Sequence, residues 1–291
     1  MSKIQNVKGP LLILLSSVFF STTGTLQAFA PEGATPITIT FVRMLLGAVT
    51  LFLWCWFVGK LPGDLKQIPK KPLAMVVLSV LLYQVFFFTA TKHVGVAVGS
   101  VVAIGSTPIW AAIIAFVLFK AAPAKVWYPA TVMAIAGVLL INGTSLSVDS
   151  LLSLASPMIA GLCYAVEITY AQQLVRKLEP EPAMLLEMAL VSVLLLPVMA
   201  FSPVEWMFTT RGMLVSIGLG VFTAGIAFTC FVCGLKYTSS TTASTLALSE
   251  PLLAACLGIF LLNEPVTWLS GTGIVLLIAS VGLLVFEKKT S

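Results

Sequence analysis

Ten apolar stretches of about 20 residues, separated by short polar breaks, leave this chain of 291 residues little choice of surroundings. In hydrocarbon no water satisfies a backbone N–H or C=O, so each crossing segment is expected to be a helix. They read as spans over 10–30, 36–58, 73–91, 95–119, 125–141, 151–174, 182–201, 212–235, 239–262 and 267–286. Lys92-His93 is expected to form a tight turn between the third and fourth spans. The most polar break, 142–150, falls at the chain midpoint. Charged residues make up 9% of the chain and the mean hydropathy is +1.07, against roughly 25% charge in a soluble domain. The expected fold class is all-α integral membrane with ten transmembrane helices, with no room for a soluble domain.

Charge sets the orientation. With the N-terminus in the cytoplasm, thirteen of the sixteen Lys and Arg fall on inside loops and ends. Only Lys92 and Arg211 fall outside, and Arg43 lies within a span. Basic residues concentrate on the cytoplasmic side of membrane proteins, so the expected location is the cytoplasmic membrane, multi-pass, with both termini inside. The net charge of +5 and pI near 9.0 then describe loops facing an anionic leaflet rather than a nucleic-acid surface. Trp54, Trp56, Trp127, Trp206 and Trp268 fall near helix ends and read as an interfacial belt. The five cysteines, including the Cys230-x-x-Cys233 pair, read as small packing residues with no disulfide. Ala28-Phe29-Ala30 looks like a leader cleavage site, but the internal repeat needs this helix as a counterpart.

The halves look related. Thr107-Pro108 and Glu250-Pro251 each place a proline, preceded by a polar residue, deep in a span. Proline removes a backbone hydrogen bond and opens a local polar spot. Gly95, Gly99, Ala103 and Thr107 share one helix face, as do Thr241, Thr245 and Ser249. Such small-residue faces allow close helix approach in lipid. Each proline motif is followed by a second proline, a tryptophan and a glycine-bearing helix: Pro123, Trp127 and Gly137, then Pro265, Trp268 and Gly282. The expected repeats are residues 1–145 and 146–291. An odd number of helices per half makes them two inverted five-helix repeats, the signature of a secondary transporter.

With these motifs in order, the chain resembles the drug/metabolite transporter superfamily, EamA-like branch, over its whole length. The residues that carry the resemblance are Arg43 within Phe41-Val-Arg-Met-Leu-Leu-Gly-Ala48, Thr107-Pro108, Glu250-Pro251 and the Leu262-Asn263-Glu264 turn. The first-half turn, Lys120-Ala-Ala-Pro123, departs by lacking the acid. The resemblance implies transport of small metabolites, often amino-acid export, through a central cavity between the halves. It does not fix the substrate.

Ionisable residues inside spans are costly, about 2.5–3.5 kcal/mol on insertion scales, and mark function by default. Glu250 and Glu167 are the candidate substrate-contacting and proton-coupling carboxylates, and their alternative role is an interhelical hydrogen bond or one to the serine and threonine face. Glu187 reads as interfacial, and Arg43 as a structural partner of a helix end or an acid, with substrate binding as its alternative role. An aromatic set stands apart from the belt: Tyr83, Gln84, Phe87, Trp110, Tyr164, Phe222 and Phe228. Together with Glu167 and Glu250 these form the candidate substrate site for an amphipathic or cationic molecule. Gly95, Gly99, Ala103, Pro108 and Pro251 are the candidate helix-packing residues. His93 reads as an outer loop residue.

Two readings of function stand. One is a secondary transporter exporting small organic metabolites, amino acids including aromatic ones foremost. It is either proton-coupled or an uncoupled facilitator. The other is an importer or uniporter of a quaternary amine or other organic cation. An enzyme does not fit: Asp64 and Asp149 lie in loops on opposite sides, one histidine excludes H-E-x-x-H, and no G-x-S-x-G or phosphate-binding loop occurs. No cofactor or metal is expected. The expected partners are a small-molecule substrate and the bilayer, with no nucleic acid. The small-residue faces allow a monomer or a dimer.

Overall fold

The computed structural model describes residues 3–63, 68–142, 154–253, 256 and 267–286. Its elements are helical throughout. They are α1 (Lys3–Ala28), α2 (Pro36–Phe57), α3 (Lys70–Phe119), α4 (Trp127–Asn142), α5 (Ala155–Val175) and α6 (Pro180–Met199). A 3₁₀ turn (Glu205–Phe208) follows, then one rod made of α7 (Thr210–Ile217), a π-helical turn (Gly218–Ile226) and α8 (Ala227–Leu235). The chain closes with α9 (Ser240–Leu246) and α10 (Trp268–Val285).

Local chemistry explains the ends. Thr35 caps α2 with a reciprocal box to Thr38 and Pro36 at the first helical position, where its missing N–H has no cost. Thr267 and Ser270 repeat the box at the start of α10. The polar connection Lys60 to Gly63 ends α2, and Lys120 closes α3 in the left-handed region, φ 53°.

The third and fourth spans are joined without a loop. Residues 70–119 are helical throughout, Lys92-His93 included, and residues 73–94 contain no proline or glycine. The side chains at the expected turn lie outside the described residues. A straight helix of 50 residues would be about 75 Å long, more than twice a bilayer core of about 30 Å. The chain does double back, however. Ser156 Oγ donates to the Phe86 carbonyl at 2.7 Å, while a Cβ added to Gly161 would sit 2.5 Å from the Ala103 carbonyl oxygen. Residues 86 and 103 would be about 25 Å apart on a straight helix, yet both lie against the same short stretch of α5. Each limb of α3 is therefore a span.

Packing follows a twofold exchange. Counting spans from one to ten, the first packs on the eighth and the sixth on the third. The second packs on the seventh and the fifth on the tenth. Adding five to either member returns the same set, as two related halves require. Every one of these pairs joins one half to the other. Glycines make the crossings close: Gly9 meets Gly234, Gly47 meets the Gly220–Ala224 turn, and Gly137 meets Gly273. The sequence repeat aligned Gly137 with Gly282, but a Cβ on Gly282 would meet open space. A Cβ on Gly137 would lie 2.8 Å from the Gly273 carbonyl oxygen and from Leu277 Cγ. Gly137→Ala is expected to lower stability by about 1–3 kcal/mol through overpacking. Thermal melting in detergent measures it, and an unchanged midpoint would mean that α4 and α10 separate at no cost.

Outward apolar side chains mark the lipid face, among them Phe52, Leu53, Val193, Leu214, Val275 and Ile278. Trp54, Trp56 and Trp268 are exposed, as a belt requires. Trp127 and Trp206 are not in the belt. Both are buried, because their indole N–H groups hold helices together, one donating to the Thr241 carbonyl and the other to Thr38 Oγ1, each at 3.1 Å. At the end of the bundle where α2 stops and α6 begins, Lys60 pairs with Glu181 at 3.2 Å and Lys236 with Glu179 at 3.0 Å. The hydrogen bond and charge of Glu181 raise the pKa of the exposed Lys60 ammonium. Exposed pairs contribute about 0–1 kcal/mol and are screened by salt. Lys60→Met is accordingly expected to shift the melting midpoint by a few degrees at most, and by less in high salt.

Candidate substrate site

The bundle centre holds two aromatic clusters, on helix pairs that the twofold exchange relates. Between α5 and the first limb of α3, Tyr83 stacks on Phe87 at 5.3 Å and meets Tyr164 at 5.9 Å. Between α1 and α8, Phe20 meets Phe228 edge-on at 4.9 Å and Phe231 at 6.5 Å. The first cluster carries phenolic groups and shares its helix α5 with Glu167. The second is wholly apolar and carries a cation. The Arg43 guanidinium lies 5.9 Å from the Phe20 ring centre and 5.4 Å from that of Phe228.

Among the described residues no ion pair ties Arg43 to an acid. Its Nη2 donates to the Thr223 carbonyl at 3.0 Å, in the π-helical turn where α2 crosses the rod of α7 and α8. Glu250, Glu167 and the phenols of Tyr83 and Tyr164 lie within electrostatic range of it, so cation, carboxyls and phenols share one region. The sequence reading made Arg43 structural and left Phe20, Phe231 and the π-turn unnoticed. An arginine inside a span was the signal available for the first. The π-turn leaves no such mark beyond the glycines at 218, 220 and 225, which also serve close packing.

Glu250 is carried by a break in the ninth span. After α9 the chain makes turns at Ala247 and Leu248, with Leu248 N–H donating to the Thr245 carbonyl and Glu250 N–H to that of Ala247. Pro251 cannot donate, so the ladder loses a bond just there. Pro108, by contrast, is accommodated without a break in α3. The serine and threonine face does not satisfy the carboxyl. Ser249 Oγ turns to the Leu246 carbonyl, and Thr245 Oγ1 bonds Thr131 and the Thr241 carbonyl. Glu167 is buried on α5. Among the described residues no hydrogen bond or ion pair engages the carboxylate of either glutamate.

Glu187 corrects an expectation. It is 1% exposed rather than interfacial, its Oε1 has no hydrogen-bond partner, and the charge of Glu167 reaches it. Its start-of-helix position misled because α6 packs its first turns against α2, covering them. Phe222 is 48% exposed, and six residues along a helix carry it to a different side from Phe228. Gln84 and Trp110 are half-buried and make no hydrogen bond or ring contact among the described residues. Of the packing face on the fourth span, Gly99 and Ala103 are buried and Ala103 lies under Gly161 of α5. The side chain of residue 95 and the turn at 262–264 lie outside the described residues. Pro108 is buried and Pro251 half-buried.

An all-helical, multi-pass bundle of two related halves with charged groups at its centre is the architecture of a membrane transporter. The comparisons give the particular family. Residues 7–143 and 151–286 each match the model of the EamA-like transporter family. The chain is 34% identical over 278 residues to the uncharacterized transporter YwfM of Bacillus subtilis (strain 168), covering 95% of this chain and 93% of that one. It is 24% identical over 281 residues to an uncharacterized transporter of Archaeoglobus fulgidus, covering 94% of each. A crystal structure superposes with a TM-score of 0.80 at 17% identity, covering 95% of this chain and 96% of the other. The last likeness shows the fold alone. The chain belongs to the EamA-like transporter family, which is a transporter family and not an enzyme family.

Proposed function

We infer that the protein is a secondary transporter exporting small organic metabolites, amino acids including aromatic ones foremost. The observation that carries this reading is the Tyr83–Phe87–Tyr164 cluster beside Glu167 and Glu250, two carboxyls without hydrogen-bond partners among the described residues. Aromatic faces hold an amphipathic side chain and a carboxylate holds an ammonium group. Gln84, Trp110 and Phe228 extend the same lining. Residues 1–145 and 146–291 are the two halves that rock in alternating access, about the spans holding Pro108 and Pro251. The termini are cytoplasmic, as the basic ends require. Protonation of Glu250 or Glu167 couples transport to the proton gradient.

A second reading, import or uniport of a quaternary amine, draws on one observation: Glu167, Glu187 and Glu250 outnumber Arg43 in the bundle interior. Thermal-shift and tryptophan-fluorescence titrations of the detergent-purified protein separate the two, using an amino-acid panel and choline-like amines at two pH values. Stabilisation by aromatic or aliphatic amino acids, with efflux of the same compounds from preloaded cells, is the expected result. A response to quaternary amines alone would put the second reading in place of the first. Tyr83→Ala is expected to weaken binding of aromatic amino acids by about tenfold, roughly 1.4 kcal/mol, with smaller change for alanine. Equal weakening for both would remove Tyr83 from the side-chain pocket.

A further inference from the structure

Arg43 has donors to spare. A guanidinium presents a planar fork of N–H groups matched to a carboxylate. Here one of them reaches the Thr223 carbonyl, and Nε is fully covered with no acceptor. A buried donor left without a partner is costly, and this one lies in a span, where water gives little help. Acids are close enough to be felt, yet the ion pairs among the described residues are only Lys60 with Glu181 and Lys236 with Glu179, at the end of the bundle. The interior thus keeps a cation and two carboxyls apart instead of neutralising them. The ring centres of Phe20 and Phe228 lie 5.9 and 5.4 Å from the guanidinium, within cation–π range.

We propose that Arg43 is the anchor for the substrate's carboxylate, and that the transported class is the zwitterionic α-amino acids. The proposal rests on the export reading above and deepens it. The carboxylate takes the Nη donors, since Nε is covered by protein, and the contact to the Thr223 carbonyl yields where it competes. The substrate ammonium lies on the side of Glu250 and Glu167. A carboxylate is what the guanidinium lacks, because no acid among the described residues closes on Arg43. A compound with an ammonium group but no carboxylate leaves the arginine unanswered and brings its charge into a region that already holds one cation.

The test compares phenylalanine, phenylalaninamide and phenethylamine, in binding and proteoliposome counterflow, for the full-length protein and for Arg43→Gln and Arg43→Lys. The wild type is expected to take phenylalanine and to reject the other two by about tenfold or more, the scale of a charge-assisted contact. Arg43→Gln is expected to lose that preference, binding all three alike, and Arg43→Lys to keep part of it. Arg43→Gln that retains the preference for the carboxylate overturns the proposal. Wild-type protein that takes all three equally also overturns it, while the export reading stands. Wild-type protein that takes none of the three but takes choline overturns the export reading and the anchor with it. If Arg43→Gln does not fold, the wild-type panel alone decides between acceptance and rejection of the carboxylate-free compounds.

Discussion

Glu250→Gln is expected to fold as the wild type does and to lose transport by about tenfold or more, the equivalent of roughly 1.4 kcal/mol or above in the transport step. The two halves of this expectation have separate grounds. Folding survives because no hydrogen bond or ion pair among the described residues uses the carboxylate, while the neighbouring hydroxyls of Thr245 and Ser249 are engaged elsewhere. The change in stability is expected within about 0.5 kcal/mol, as for substitutions that break no buried contact. Transport suffers because the side chain leaves the ninth span at its break, beside Pro251, within electrostatic range of Arg43, Tyr83 and Tyr164. An amide there keeps size and hydrogen bonding but can neither take a proton nor pair with an ammonium. Flux into proteoliposomes across a pH series measures the effect, with melting as the folding control. Wild-type flux at every pH would remove Glu250 from both substrate contact and coupling.

Gly161→Leu is expected to abolish the folded state. Even a Cβ at this position would lie 2.5 Å from the Ala103 carbonyl oxygen and would strike Ser106 Oγ. Neither neighbour can give way: one is backbone, and the other donates to that same carbonyl at 3.2 Å. A leucine therefore forces α5 away from the second limb of α3 and opens the crossing that also orients Tyr164 and Glu167. The cost is expected to exceed about 3 kcal/mol, beyond ordinary overpacking and a large share of the total stability of a domain. The control is Gly282→Ala, where a Cβ meets nothing within 4 Å. Removing a glycine from a helix interior should stabilise by roughly 0.5–1 kcal/mol. Size-exclusion profiles and melting midpoints of the pair report the result. A monodisperse Gly161→Leu protein with an unchanged midpoint would mean that this crossing is loose.

How far the site could be read in advance differs residue by residue. Glu167, Glu250, Tyr83 and Tyr164 stood out as candidates because a carboxyl or phenol in a span needs a reason to be there. Phe222 and Phe228 were indistinguishable as two phenylalanines in one span, and packing separated them, leaving one exposed and placing the other in the Arg43 cluster. Trp127 and Trp206 were assigned by position near helix ends, and their indole N–H partners came from helices distant in sequence. Glu187 looked interfacial by counting residues from the start of its helix, and the cover that α2 provides was invisible to that count.

The sequence by itself determined the spans and the relatedness of the halves, because both rest on run length, hydropathy and local motifs. Tertiary structure decided which face of each helix looks inward, that Gly137 answers Gly273, that the eighth span widens into a π-turn, and that Arg43 lies near two phenylalanine rings. The physical reason is the solvent. A helix in water shows its inner face as an apolar stripe against a polar one. A helix in lipid is apolar outside as well, so the pattern that would reveal the inner face is erased, and only close packing of small residues and satisfaction of the few polar groups choose it.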